Sequence, residues 1–153
     1  MYLFGNPKYI FLDVDGVLNN LISERFNGIN VIEEKLLLLK RLVDSTDAEI
    51  ILTSSWRDSY DSREDLGKAF SYFGLTYRNY TPDYHGEKTR GEEISAWLSI
   101  QSQIAEINYV ILDDLPPEQF IKHKKHFVNV NFKTGLTDED VDAAIEILNK
   151  DLL

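Results

Sequence analysis

The strongest constraint in this chain is the run Tyr9-Ile10-Phe11-Leu12, which passes without alternation into Asp13-Val14-Asp15-Gly16. An unbroken apolar run ending at a glycine turn fits a strand buried on both faces of a parallel sheet. Asp13 and Asp15 are two residues apart and therefore share one side of an extended chain, at the strand's carboxyl end. Open α/β sheets bind their ligands at that end. Two neighbouring carboxylates repel each other, and a divalent cation held by oxygen ligands offsets the repulsion. Mg²⁺ is the usual choice where phosphate is handled. Alone, the same residues would also serve as an acidic turn, so the other strands have to decide.

Strand and helix patterns alternate through the rest of the chain. Val17 to Asn30 lacks a clear period and reads as a loop or short hairpin. Asn30 is placed to cap a helix in which Ile32, Leu36, Leu39 and Val43 share one face. Ala48 to Leu52 is a short second strand running into Thr53-Ser54-Ser55-Trp56-Arg57. Ser62 and Asp65 predict a capping box for a helix with Leu66, Ala69, Phe70 and Phe73 inward and Gly74 as its stop. A third strand over Leu75 to Tyr80 precedes a polar loop, Thr81 to Lys88, broken by Pro82 and Gly86. Thr89 and Glu92 form a second capping box, for a helix that buries Ile94, Trp97 and Leu98. Tyr109 to Leu112 is a fourth strand ending in Asp113-Asp114. Pro116 and Pro117 open a short helix ending near Lys122. Phe127 to Val130 is a fifth strand, and Thr137 caps a last helix with Val141, Ile145 and Leu148 inward. This alternation predicts one doubly wound α/β domain over residues 1–153, with a mainly parallel five-stranded sheet and helices on both faces.

Composition narrows the function classes. The net charge of −10 gives no global basic field to collect nucleic acid. Cysteine is absent, which excludes disulfides, thiol nucleophiles and Cys-ligated zinc and fits a cytoplasmic protein. Met1 to Lys8 has no long apolar core and does not read as a signal peptide. No apolar run is long enough to span a membrane, so no membrane partner is expected.

Chemistry collects at three strand ends: Asp13 and Asp15, then Thr53, Ser54 and Ser55, then Asp113 and Asp114. If the strands are neighbours, carboxylates for a metal meet hydroxyl and N–H groups for a phosphate, with Lys88 or Arg90 as the nearby cation. In this respect the chain resembles the haloacid dehalogenase-like (HAD) superfamily, mostly phosphatases and phosphotransferases with an aspartate nucleophile. Asp13-Val-Asp15-Gly-Val is similar to the family's first motif, and Ile-Leu-Thr53 to its second. Arg90 at a helix start is similar to the third, and Ile-Leu-Asp113-Asp114 to the fourth. The phrases Phe-Leu-Asp-Val-Asp-Gly-Val-Leu-Asn, Leu-Thr-Ser-Ser-Trp-Arg and Arg-Gly-Glu-Glu-Ile resemble, more narrowly, small HAD domains associated with RNA-repair proteins.

The resemblance implies a set of roles. Asp13 would attack phosphorus and form an aspartyl-phosphate. Asp15 would protonate the leaving oxygen and then activate water. Mg²⁺ would be held by Asp13, the Asp15 carbonyl, and Asp113 or Asp114. Thr53, Ser54 and the following N–H groups would hold the phosphoryl oxygens, with Arg90 adding positive charge. The family's commoner basic residue is Lys, and Lys88 lies just upstream, so the choice between the two is open here.

The 37 residues from 16 to 52 are filled by one helix and one strand, leaving no room for a separate cap domain. Within the resemblance, capless members suit phosphate on a nucleic-acid end or a protein side chain; a small phosphate also fits if the Val17 to Asn30 loop acts as a lid. The expected function is an Mg²⁺-dependent phosphatase acting through an aspartyl-phosphate, with a phosphorylated nucleic-acid end, suggested by the narrower resemblance, as the favoured substrate. The alternatives are a phosphate- or metal-binding interaction domain without turnover, and a phosphotransferase. Trp56 and Trp97 read as packing residues, although Trp56 and Arg57 follow the phosphate loop. His85 and the Lys122 to His126 cluster read as solvated, the latter as a basic helix end.

Overall fold

The Tyr9-to-Leu12 run forms the central strand of the sheet. The structure, a computed structural model, describes residues 6–20, 25–101 and 106–150. Its strands are β1 (Lys8–Leu12), β2 (Glu49–Leu52), β3 (Tyr77–Tyr80), β4 (Asn108–Asp113) and β5 (Phe127–Asn129). They lie in the order β3-β2-β1-β4-β5, and every neighbouring pair is parallel. Helices α1 (Glu33–Thr46), α2 (Tyr60–Ser71), α3 (Arg90–Gln101) and α4 (Asp138–Leu148) complete the described regular structure, with 3-10 segments at Ser55–Asp58 and Pro117–His126.

The period of two in β1 divides the core. Ile10 and Leu12 face one side, where they pack with residues of α1, α2 and α4, among them Leu36, Leu39, Phe70 and Val141. Tyr9 and Phe11 face the other, against Ile94 and Trp97 of α3 and Phe120. Both faces are dry, as the lack of alternation predicts. The winding follows: the chain steps outward from β1 to β2 to β3, then returns to the far side of β1 to lay down β4 and β5. The switch point of this doubly wound sheet therefore lies between β1 and β4, where such sheets open a crevice for ligands.

Several local expectations need correction. Asn30 does not cap α1; the N-cap position is Ile32, without a side-chain bond, and Glu33 and Glu34 complement the positive end of the helix dipole instead. The Asn30 carbonyl accepts from the Asn19 side chain. α2 starts earlier than the Ser62 box predicts, because Ser59 is the cap and its oxygen accepts the Ser62 N–H. Its stop is as read: Gly74 follows with φ of +68°, where an L side chain is disfavoured. The capping boxes at Thr89 with Glu92 and at Thr137 both form, the latter through Asp140. Of the Val17 to Asn30 segment, residues 21–24 lie outside the described residues, and Phe26 pairs with Ile29 in a short turn.

In the Lys122 to His126 cluster the three lysines are exposed, as a solvated helix end requires, but His123 is not. The segment is 3-10, kinked at Phe120 and His123, and His123 is only 5% exposed. Its Nε2 faces the Gly91 carbonyl at 3.0 Å and the Ser95 hydroxyl at 2.9 Å, while Nδ1 accepts from the Tyr109 hydroxyl at 2.7 Å. Gly91 permits this approach, since a Cβ there would lie 2.4 Å from the Gln119 carbonyl. Burial lowers the pKa of His123 and pushes the Tyr109 hydroxyl up to about 12. The unfolded chain therefore takes up a proton near pH 6.5 that the folded protein resists, and this group's contribution to stability falls as pH drops below that value. In urea unfolding at pH 7 and pH 5, His123→Gln should remove that component, making the acid-side loss shallower than in wild type by up to about 1.4 kcal/mol per pH unit.

Candidate active site at the β1/β4 switch point

The functional strand ends stand in one row. Leu12 pairs with Leu52 on one side and Leu112 on the other, and Leu52 pairs with Tyr80. One residue further on, the N–H groups of Asp13, Thr53 and Thr81 donate to the carbonyls of Leu112, Leu12 and Leu52 at 3.0, 2.9 and 3.0 Å. Asp13 is thus level with Thr53 on one flank and Asp113 on the other, across the switch point.

Asp13 and Asp113 are buried and Asp114 is half-buried, and one carboxylate oxygen from each lies within 4.8 Å of the others. Arg90, at the first turn of α3, reaches into this cluster: its guanidinium is 3.2 Å from Asp113 and 3.8 Å from Asp13. Lys88 instead lies 5.0 Å over the ring of Tyr84, outside the cluster. Asp113 is fixed further by the Leu115 N–H, which donates to its other oxygen at 3.0 Å. When fully ionised, three carboxylates and one guanidinium carry two net negative charges at one point, which matches a single divalent cation. An all-oxygen donor set of this kind suits a hard ion such as Mg²⁺.

Burial and the neighbouring charge of Asp113 raise the Asp13 pKa well above the usual carboxylate range, with Arg90 pulling the other way. Burial pushes Asp113 up to about 6, against the opposing pull of Arg90 and the Leu115 N–H. Without a cation the cluster therefore favours holding a proton, and cation binding would release it.

Asp15 takes a different direction from Asp13. It is exposed, and its carboxylate accepts from the Trp56 indole N–H at 3.1 Å and the Asn19 amide at 3.0 Å. The Asn19 oxygen also accepts the Gly16 N–H at 2.9 Å, tying down the turn. The Asp15 side chain is accordingly not part of the three-carboxylate cluster.

Thr53 is fully buried, and its hydroxyl has no hydrogen-bond partner among the described residues. A buried hydroxyl at the strand end beside Asp13 fits an oxygen-rich ligand such as phosphate. The Ser54 oxygen accepts the Trp56 N–H at 3.1 Å and caps the 3-10 turn, so its hydroxyl oxygen is already committed to local structure. Ser55 is exposed, and so is His85, as expected.

A family model described as "HAD domain in Swiss Army Knife RNA repair proteins" matches residues 9–141. The chain belongs to this family. No curated protein and no solved structure matches it. Membership places the domain in a superfamily of phosphatase-like hydrolases, consistent with the row of strand-end residues.

Sequence reasoning left some of this HAD domain's site unassigned. Arg57 is buried; it donates to the Thr53 carbonyl and lies 3.0 Å from Glu93. Glu93, also buried, accepts the Tyr84 N–H at 2.8 Å and sits 3.5 Å from Arg90. This network connects the second strand's loop to the helix that carries Arg90. The signal was its place beside Ile94, on the inward face that also carries Trp97. Asn19 and Trp56 were visible only as types, because their shared partner Asp15 is brought to them by the fold.

Gly16 has φ of +81°, and a Cβ there would lie 2.3 Å from the Asp114 carboxylate. Gly16→Ala should lower the melting temperature, with about 1–2 kcal/mol of backbone strain. If the carboxylate cluster holds Mg²⁺, displacing Asp114 should also weaken that binding roughly tenfold. Thermal melting and a metal titration read the two effects separately.

Proposed function

We propose that this domain is an Mg²⁺-dependent phosphomonoester hydrolase that works through an aspartyl-phosphate on Asp13 and acts on phosphorylated nucleic-acid ends. The observation that carries this reading is the division of labour between the two aspartates of the first motif. Asp13 sits in the carboxylate cluster beside Arg90 and Thr53, whereas Asp15 is held apart by Trp56 and Asn19. A nucleophile and an acid/base need that separation, because one carboxylate must meet phosphorus while the other meets the leaving oxygen.

In this mechanism the Asp13 oxygen attacks phosphorus as the bond to the leaving oxygen breaks. Asp15 delivers a proton to that oxygen, then accepts one from the water that opens the aspartyl-phosphate. The two hydrogen bonds to Asp15 fix where that proton is delivered. The Thr53 hydroxyl supplies a donor for a phosphoryl oxygen, and Arg90 adds positive charge where negative charge develops. Mg²⁺ would be held by Asp13, Asp113, Asp114 and the Asp15 carbonyl, and when bound it neutralises phosphoryl charge and keeps Asp13 ionised. Among the described residues, the stretch from Gly16 to Leu52 holds α1 and β2 and no separate cap, which suits a phosphate presented on a large molecule.

The test is phosphate release with Mg²⁺ from an aryl phosphate, from 3′- and 5′-phosphorylated oligonucleotides, from phosphopeptides and from sugar phosphates. Wild type should release phosphate from the aryl compound and the oligonucleotides, and Asp13→Asn should release none. Absence of release by folded wild-type protein in Mg²⁺ would overturn the reading.

A further inference from the structure

A groove of about 600 Å³ lies between α2 and the edge strand β3, outside the carboxylate site. The chain carries a net charge of −10, yet the charged groups lining the groove are Arg63, Lys68 and Arg78 against Glu64 alone. Tyrosines accompany these cations. Tyr60 is 68% exposed and Tyr80 47% exposed, while Tyr77 is half-buried and donates its hydroxyl to the Arg63 carbonyl at 2.9 Å. The Arg63 guanidinium stands 5.2 Å over the Tyr80 ring. Exposed aromatic faces interleaved with cations are what a single nucleic-acid strand requires: rings for bases and charge for phosphates.

One end of the groove lies at the same edge of the sheet as the site. Tyr80 is level with Leu52, one residue before Thr53, and Leu52 is level with Leu12, one residue before Asp13. Two strand spacings put Tyr80 about 10 Å across the sheet from β1. Arg63 also donates to the Arg57 carbonyl, in the 3-10 turn that follows Thr53. The end of the groove marked by Tyr60 and Tyr80 is therefore the end nearest Asp13.

Two further features point to an occupant. Gly67 lies inside α2 on the groove face, where glycine weakens a helix. Nothing within 4 Å would oppose a Cβ there, so packing does not require the glycine. It leaves a low floor in the groove. β3 is also interrupted: its register with β2 shifts between Ile50 and Ile51, leaving Arg78 out of the pairing, exposed and only loosely paired with Glu49 at 3.9 Å. A bulged edge strand carrying a charge resists pairing with another strand, which argues against an added peptide strand.

We propose that this groove binds single-stranded nucleic acid and leads its phosphorylated end to Asp13. The inference rests on the proposed phosphatase reading for what happens at the end of the strand, but binding along the groove is measurable without turnover. The probes are fluorescent single-stranded RNA and DNA oligonucleotides of equal length, a duplex, and an extended peptide, followed by anisotropy in wild type, Tyr80→Ala/Arg78→Glu and Gly67→Glu. Both variants change groove residues outside the carboxylate site, and their melting curves check the fold.

Single strands should bind in preference to duplex and peptide, with affinity falling on added salt. Each variant should bind them about tenfold or more weakly. KM for a phosphorylated oligonucleotide should rise in parallel, with aryl phosphate turnover unchanged. Weaker strand binding by the variants, with no turnover by wild type, would uphold the groove and overturn the phosphatase reading. Oligonucleotide turnover with variants equal to wild type would overturn the groove and leave the phosphatase. Preferential peptide or duplex binding would also overturn it. The RNA and DNA arms identify which strand is used.

Discussion

The site depends on electrostatic repulsion held in place by the sheet. Parallel pairing of β1 with β4 sets Asp13 beside Asp113, and Asp114 follows immediately in the chain. Burial makes charging such a group costly, and like charges at short range add to the cost. Arg90 offsets only part of it. The rest of the local structure works to keep the carboxylates together: Gly16 gives Asp114 room, Leu115 fixes Asp113, and the buried Glu93 positions both Arg57 and Arg90. A cluster made this unfavourable and held this firmly is suited to a cation.

Much of this was legible in the chain because the relevant signals are local. The apolar run into Asp13 identified a doubly buried strand, and the other strand ends carried Thr53 and Asp113-Asp114 in plain view. The alternation of elements was enough for the parallel sheet. Errors arose where local pattern and tertiary demand differ. Asn30 looked like a cap, but its carbonyl serves the turn around Asn19. His123 looked solvated because the lysines around it are, and they are indeed exposed. A kinked 3-10 path turns His123 inward to polar partners on α3 and β4. Asp15, Asn19 and Trp56 form one unit from residues as far as 41 positions apart, and Arg57 meets Glu93 across 36. No periodicity marks such pairs.

Charge is distributed for two tasks. The overall negative charge disfavours indiscriminate attraction of polyanions, while the groove beside β3 concentrates cations and tyrosines along one approach to the strand ends. An acidic protein with a local basic track would favour a strand entering in one direction over a duplex lying across the surface. Under the two proposals, the edge of the sheet would select the molecule and the switch point would perform the chemistry.

The most direct test of the central electrostatic account is the shift in melting temperature produced by Mg²⁺ at pH 7, measured for wild type and Asp113→Asn. Removing a carboxylate whose pKa is raised to about 6 should relieve repulsion, making the metal-free variant melt higher than metal-free wild type. Mg²⁺ should raise the melting temperature of wild type and have little effect on the variant. A variant that melts lower without metal, yet gains as much from Mg²⁺ as wild type does, would contradict the account.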